Sequence, residues 1–287
     1  DKRNLMKIYE KSFARVSYQQ ELVNGIFMNA AAEYAQRNPL FNSTDYTWSG
    51  KDDRQFTPNN PPGYPISPSR ALEAEVQLRI RINQKYETYP NRKRIRGSRW
   101  PTIFLTYRKG IDAFLSDVNY DFVSAALSYD LNLQQFGETL FDVEGGAFVN
   151  DAAMQFYDYQ HFNGNETGVL NTGSPSPFRS IDFSRPRLDN FQNMPYYANS
   201  TRESYVKVHA QHHFQGFIFN KLPLIRKLRW QALIGSNFLY TTDNQDHTEF
   251  YVGIENILKV LRIDFVATYN YGEPIRPVLR LGTSIGL

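Results

Sequence analysis

The chain has 287 residues, no cysteine, 32 basic against 29 acidic side chains and a formal charge of +3. The missing cysteines exclude a disulfide framework and thiolate chemistry, and interspersed charge of both signs argues against a nucleic-acid footprint. A mean hydropathy of −0.53 and the absence of any run of about 18 apolar residues exclude a helical membrane span. Aromatic residues are abundant, at 15%.

Residues 11–23 alternate, with Ala14, Val16, Tyr18 and Leu22 on one face and Arg15, Ser17, Gln19 and Glu21 on the other. Asn24-Gly25 is a tight hairpin signal, and Ile26, Met28, Ala30, Ala32 and Tyr34 continue the apolar row on the return strand. Residues 39–70 read as a long loop, because proline at the density of PNNPPGYPISPSR forbids a regular ladder. The stretch 71–85 is the cleanest strand: Leu72, Ala74, Val76, Leu78, Ile80 and Ile82 alternate with Glu73, Glu75, Gln77, Arg79, Arg81 and Asn83. NRKRIRGSR follows as a basic turn over 87–99, leading to a strand at 101–107.

Residues 118–134 and 139–149 form the next pair, with Asp142 and Glu144 on the polar face. A second long loop is predicted over 151–201. The stretch 202–219 then sets Val206, Val208, Ala210, His212 and Phe214 against Tyr205, Lys207, His209, Gln211 and His213. Strands over 228–240, 249–253, 261–271 and 275–287 complete the chain, with residues 254–260 as a candidate short helix in a turn. Arg229, Arg262, Asp264 and Arg280 fall on polar rows by parity.

Strands of 11 to 17 residues with strict alternation are longer than the ~5–6 usual in soluble sheets. About 9–11 tilted residues cross a bilayer, and ~10-residue alternating segments between turns are the signature of a transmembrane barrel. The pattern predicts an all-β, antiparallel transmembrane β-barrel with about 11–12 strands visible, occupying residues 1–287 as one domain. Both very long loops, near 39–70 and 151–201, fall on the same side, as expected for extracellular loops. Trp230, Tyr240, Tyr269 and Tyr271 near the ends of outward rows suit interfacial girdles. An odd strand count leads to the expectation of further strands ahead of Asp1, where no signal-peptide pattern is read.

The segments KIYEKSF, ELVNGIFMNAAAEYAQRNPL, GSRWPTIFLTYRKGI, YYANSTRESYVKVHAQHHFQGFIFNKLPLIRKLRW and VGIENILKVLRIDFV resemble a group of Bacteroidota outer-membrane proteins. In that family a carboxypeptidase-regulatory-like domain precedes a large C-terminal domain of unassigned function. The resemblance covers the C-terminal part of the longer architecture. It implies an outer-membrane location and carries no catalytic positions.

The lumen-facing polar candidates are Arg79, Arg81, Asp142, Glu144, Lys207, His209, His213, Arg229, Arg262, Asp264 and Arg280. His209 and His213 share a face but stand roughly 13 Å apart on a strand, too far to chelate one metal together. His212 points the opposite way. Ser204 and Ser236 are available for an intramembrane hydrolase, but no spacing pairs either with a histidine. The expectation is therefore a non-enzymatic outer-membrane protein in transport or envelope assembly, without cofactor or metal. Its partners are outer-membrane lipid and other outer-membrane or surface proteins, not nucleic acid. The alternatives are a scaffold that binds surface proteins through its long loops, and a hydrolase.

Overall fold

Period-two alternation with β-branched and aromatic residues on one row favours long pleated strands, and the computed structural model is all-β. It describes every residue except 1, 3, 6, 45, 47–54, 61–65, 168, 171–187, 244–245, 271 and 284–287. The strands are β1 (Tyr9–Val23), β2 (Ile26–Pro39), β3 (Ser69–Arg81), β4 (Lys85–Tyr89), β5 (Arg92–Gly97), β6 (Thr102–Gly110) and β7 (Asn119–Asn132). They continue as β8 (Glu138–Ala153), β9 (Val169–Leu170), β10 (Ser204–His213), β11 (Gln231–Thr241), β12 (His247–Ile257), β13 (Leu261–Asn270) and β14 (Arg276–Thr283). Eleven long strands form one antiparallel sheet in the order β1-β2-β3-β6-β7-β8-β10-β11-β12-β13-β14, with the two-residue β9 parallel to the β14 edge. Among the described residues no ladder joins β1 to β14, so the sheet is not closed.

Register follows parity along most of the sheet, with shifts between Glu21 and Val23, between Asn119 and Phe122 and between Ile254 and Ile257. Phe250, Val252, Phe265, Leu279 and Leu281 stand exposed on one face, while Glu249, Tyr251, Asp264, Val266 and Arg280 between or beside them are buried on the other. Gly25 (φ +90°) lets the Asn24-Gly25 turn close, and a Cβ there would lie 2.4 Å from the Arg81 carbonyl oxygen. On the inner face, the Tyr251 ring lies across Gly235, where a Cβ would come within 2.2 Å of it. Gly235→Val is expected to push Tyr251 off the wall and destabilise the sheet by about 1–3 kcal/mol. The check is a lower temperature for the loss of folded migration in a gel.

Several boundaries differ from expectation. The strand expected over 71–85 stops at Arg81, and the basic turn is itself a two-stranded hairpin, β4–β5, separate from the main sheet. The strand expected over 202–219 ends at His213, after which residues 219–228 form two 3-10 turns around Pro223. The candidate helix at 254–260 is instead the end of β12. Ile254 pairs with Ile263, and Asn256, Leu258 and Lys259 take left-handed φ values of 61°, 52° and 70° that turn the chain. Tyr271 lies outside the described residues.

Candidate functional site

The inner face of the sheet curves around the segment between β8 and β10. Its described parts, 154–167, 169–170 and 188–203, reach partners from one end of the sheet to the other. The Tyr9 ring on β1 meets Tyr157 at 4.5 Å, and Arg280 on β14 donates to the Asn165 carbonyl at 3.1 Å. An apolar cluster seats the segment: Phe162, Phe191 and Met194 pack with Tyr120, Phe122, Tyr205 and Leu239 of the wall. The inner face is therefore not purely polar, because β7 turns aromatic rings inward where the loop docks.

Three ionic anchors surround that cluster. In the first, the Arg37 guanidinium on β2 donates to Asp158 of the loop and to Glu73 on β3 at 2.8 Å. Tyr120 also donates to Glu73, at 2.6 Å, and the Gln155 amide donates to Asp158 at 2.8 Å. In the second, the Lys207 ammonium on β10 bridges Glu144 on β8, at 3.0 Å, to Asp189 of the loop. Beside it the Leu188 amide donates to Asp142 at 2.8 Å.

The third anchor centres on Glu249, which is fully buried on β12. Its two carboxylate oxygens accept the backbone amides of Gln192 and Asn193, each at 2.7 Å. They also accept Asn237 Nδ2 at 2.7 Å and His247 Nε2 at 2.9 Å. Because the Asn237 amide nitrogen faces the carboxylate, its oxygen faces His209 Nδ1 at 2.9 Å, which fixes that nitrogen as the protonated one. Asn193 is held further by Thr268, at 2.8 Å, and by Arg280.

Of the predicted lumen residues, Asp142, Glu144, Lys207, His209 and Arg280 belong to these anchors. Arg262 and Asp264 form a buried pair at the turn end, where Tyr251 donates to Gln211 at 3.0 Å. His213 pairs with Glu255 at 2.7 Å. Arg79 is buried on β3, its guanidinium over the Phe27 ring, and Arg81 is half-buried at the strand's end. Arg229 is a correction. It is exposed and caps a 3-10 turn with φ 56°, because β11 begins at Gln231, three residues later than expected. His212 lies on the opposite face from His209 and bonds Thr139 Oγ1 at 2.8 Å. Sequence reading named neither Glu249 nor His247: His247 fell in 242–248, between expected strands, and Glu249 was only the first residue of the strand expected over 249–253; their parity with Tyr251 was the available signal.

A Ser–His contact does occur in the loop: His161 Nδ1 lies 2.7 Å from Ser200 Oγ, and its Nε2 donates to the Phe156 carbonyl at 2.9 Å. The partner that orients the ring is a backbone carbonyl rather than a carboxylate, and burial pushes the imidazole down to about 4. The geometry suits a neutral strut tying residues 156–161 to 197–201. Because the folded value lies below the unfolded one of about 6.5, the unfolded chain binds the extra proton between them. The strut is fully stabilising above that range and weakens as pH falls, by about 2 kcal/mol at pH 5. Limited proteolysis of the loop is expected to speed up between pH 7 and 5, and His161→Gln to flatten that slope.

A cavity of about 290 Å³ remains between loop and wall, bordered by Glu75, Arg108, Glu144, His161, Asp189 and Lys207. Positive and negative groups alternate around it, so it presents no single charge to a ligand.

These features define a class: a large antiparallel sheet, apolar outside, clamped around its own long loop by buried ion pairs. The chain belongs to a family of unknown function, the DUF5686 C-terminal domain, whose profile matches residues 1–254. That match ends within β12, so β13 and β14 lie beyond it. No curated protein matches the chain.

Proposed function

We propose that the chain forms the wall of a non-enzymatic outer-membrane β-barrel whose lumen is occupied by its own loop, serving transport or envelope assembly. One observation carries this reading: the long strands past β1 set an exposed apolar row against an inner row of buried and half-buried side chains that includes polar groups. In water the exposed row would be costly, whereas in lipid it is the expected surface. Outer-membrane lipid is then the partner of the outer face, and the cell outer membrane is its place. The inward fold of the described parts of 151–201 favours a plugged lumen over a general pore, and 39–70 is then the loop we propose to meet surface proteins.

Two measurements test it. Gel migration of the natural protein should differ with and without boiling, and identical mobility would sink the barrel. Reconstituted in planar bilayers the wild type should be silent. A steady open conductance would overturn the plugged reading.

A further inference from the structure

Outside the two long loops, the connections at the two ends of the sheet carry opposite charge. At the long-loop end, 111–118, 242–246 and 271–275 hold Asp112, Asp117, Asp243, Asp246 and Glu273 and no lysine or arginine. At the other end, the connection 214–230 between β10 and β11 holds Lys221, Arg226, Lys227 and Arg229 and no acidic residue. Asn256 Nδ2 donates to the Arg229 carbonyl at 2.7 Å, tying this connection to the β12–β13 turn, which adds Lys259. All of these cations are exposed, and among the described residues none is in an ion pair. The β4–β5 hairpin at the same end differs, because its Lys93 and Arg96 are taken by Glu21 and Glu87 at 2.8 and 2.6 Å.

Leucines interleave the unpaired cations. Leu222, Leu224 and Leu228 are exposed, Leu224 at 87%, and Leu258 beside Lys259 is 79% exposed. That mixture suits a lipid interface, where apolar side chains enter the acyl region and cationic heads stay at the phosphates. On the outer face next to this end runs a groove of about 630 Å³, bordered by Ala210, His212, Ile234, Phe250, Phe265 and Ala267. Register makes its floor: Ala210 lies opposite Ser236, and Phe250 rises on the far side of Ser236. Ile234 stands three residues into β11, so the groove begins about 10 Å from the connection. That depth lies within the ~15 Å of hydrocarbon in one leaflet. An acidic protein would meet the charge but not the groove, which runs down into the hydrocarbon.

We propose that this end of the outer face binds an anionic phospholipid. One acyl chain lies in the groove over Ala210 and Ser236, and Arg226, Lys227, Arg229 and Lys259 hold the phosphate. The proposal rests on the barrel reading. In the test, the natural protein is purified in detergent and mixed with equal phosphatidylglycerol and phosphatidylcholine of identical acyl chains. Native mass spectrometry counts the lipids retained. Phosphatidylglycerol should be kept over phosphatidylcholine by about tenfold or more. Arg226→Gln, Lys227→Gln, Arg229→Gln and Lys259→Gln together should bring the ratio near one, whereas Arg92→Gln with Arg94→Gln on the hairpin should preserve it. Ser236→Phe, which fills the groove, should cut retention of phosphatidylglycerol. A ratio near one in the wild type, a ratio that survives the four substitutions, or one lost as fully in the hairpin variant would overturn the proposal. So would undiminished retention in a folded Ser236→Phe protein. Identical migration of the wild type with and without boiling would instead remove the barrel reading itself.

Discussion

Glu249→Ala is expected to release the loop from the wall and turn a silent protein into a conducting one. The carboxylate takes four hydrogen bonds, from the Gln192 and Asn193 amides, Asn237 and His247, at a position with no exposure. Removing it strands two backbone donors and two side-chain donors in a dry site. Breaking a buried charge network of this kind costs about 3–5 kcal/mol. Most of that falls on the docked state, because the released loop can hydrate its amides. Glu249→Gln keeps the shape but turns an NH₂ towards donors, so it should open the loop less than alanine and more than wild type. The readouts are current events in planar bilayers and protease cleavage within 151–201. Silent bilayers with unaltered cleavage would show that Glu249 does not hold the loop.

The importance of this residue could not be read from the sequence, and the reason is physical. Alternation marked out the wall well, because a strand's period of two is a local property. The polar rows at 71–85, 202–219 and 261–271 placed Arg79, Lys207, His209, Arg262 and Asp264 inward before any contact was known, as the row at 139–149 did for Asp142. What alternation lacks is the identity of the partner across space. Asp158 and Asp189 sit in a stretch with no periodicity, so nothing local marks them as the counter-charges of Arg37 and Lys207. Strand ends were also poorly legible, since turns built on left-handed Asn256, Leu258 and Lys259 lack the Gly-Pro signals of the 39–70 loop. The hairpin β4–β5 was hidden by the charge of β5, whose Arg92, Lys93, Arg94 and Arg96 leave no apolar row to read.

Arg37→Met should loosen the opposite anchor by a comparable amount. The guanidinium is 3% exposed and serves Asp158 and Glu73 together, so its loss takes from both buried carboxylates the ion pair each makes, leaving Arg108 as the neighbouring cation. Such a group is destabilised by about 3–5 kcal/mol when its partner is removed, whereas replacing the whole set by neutral groups is often tolerated. The triple variant Arg37→Met, Asp158→Asn, Glu73→Gln is therefore expected to recover most of the loss, since the amide introduced by Glu73→Gln still offers Tyr120 an acceptor oxygen. Gel melting in detergent separates the cases: a large drop for the single variant and a small one for the triple. Equal drops would mean that Arg37 acts through packing on Tyr157, 5.4 Å from its guanidinium carbon, rather than through charge. The two anchors restrain one loop, so Arg37→Met and Glu249→Ala should not add. Once either end is free, the second substitution removes contacts that the released loop has already given up, and the combined conductance should barely exceed that of the stronger single variant.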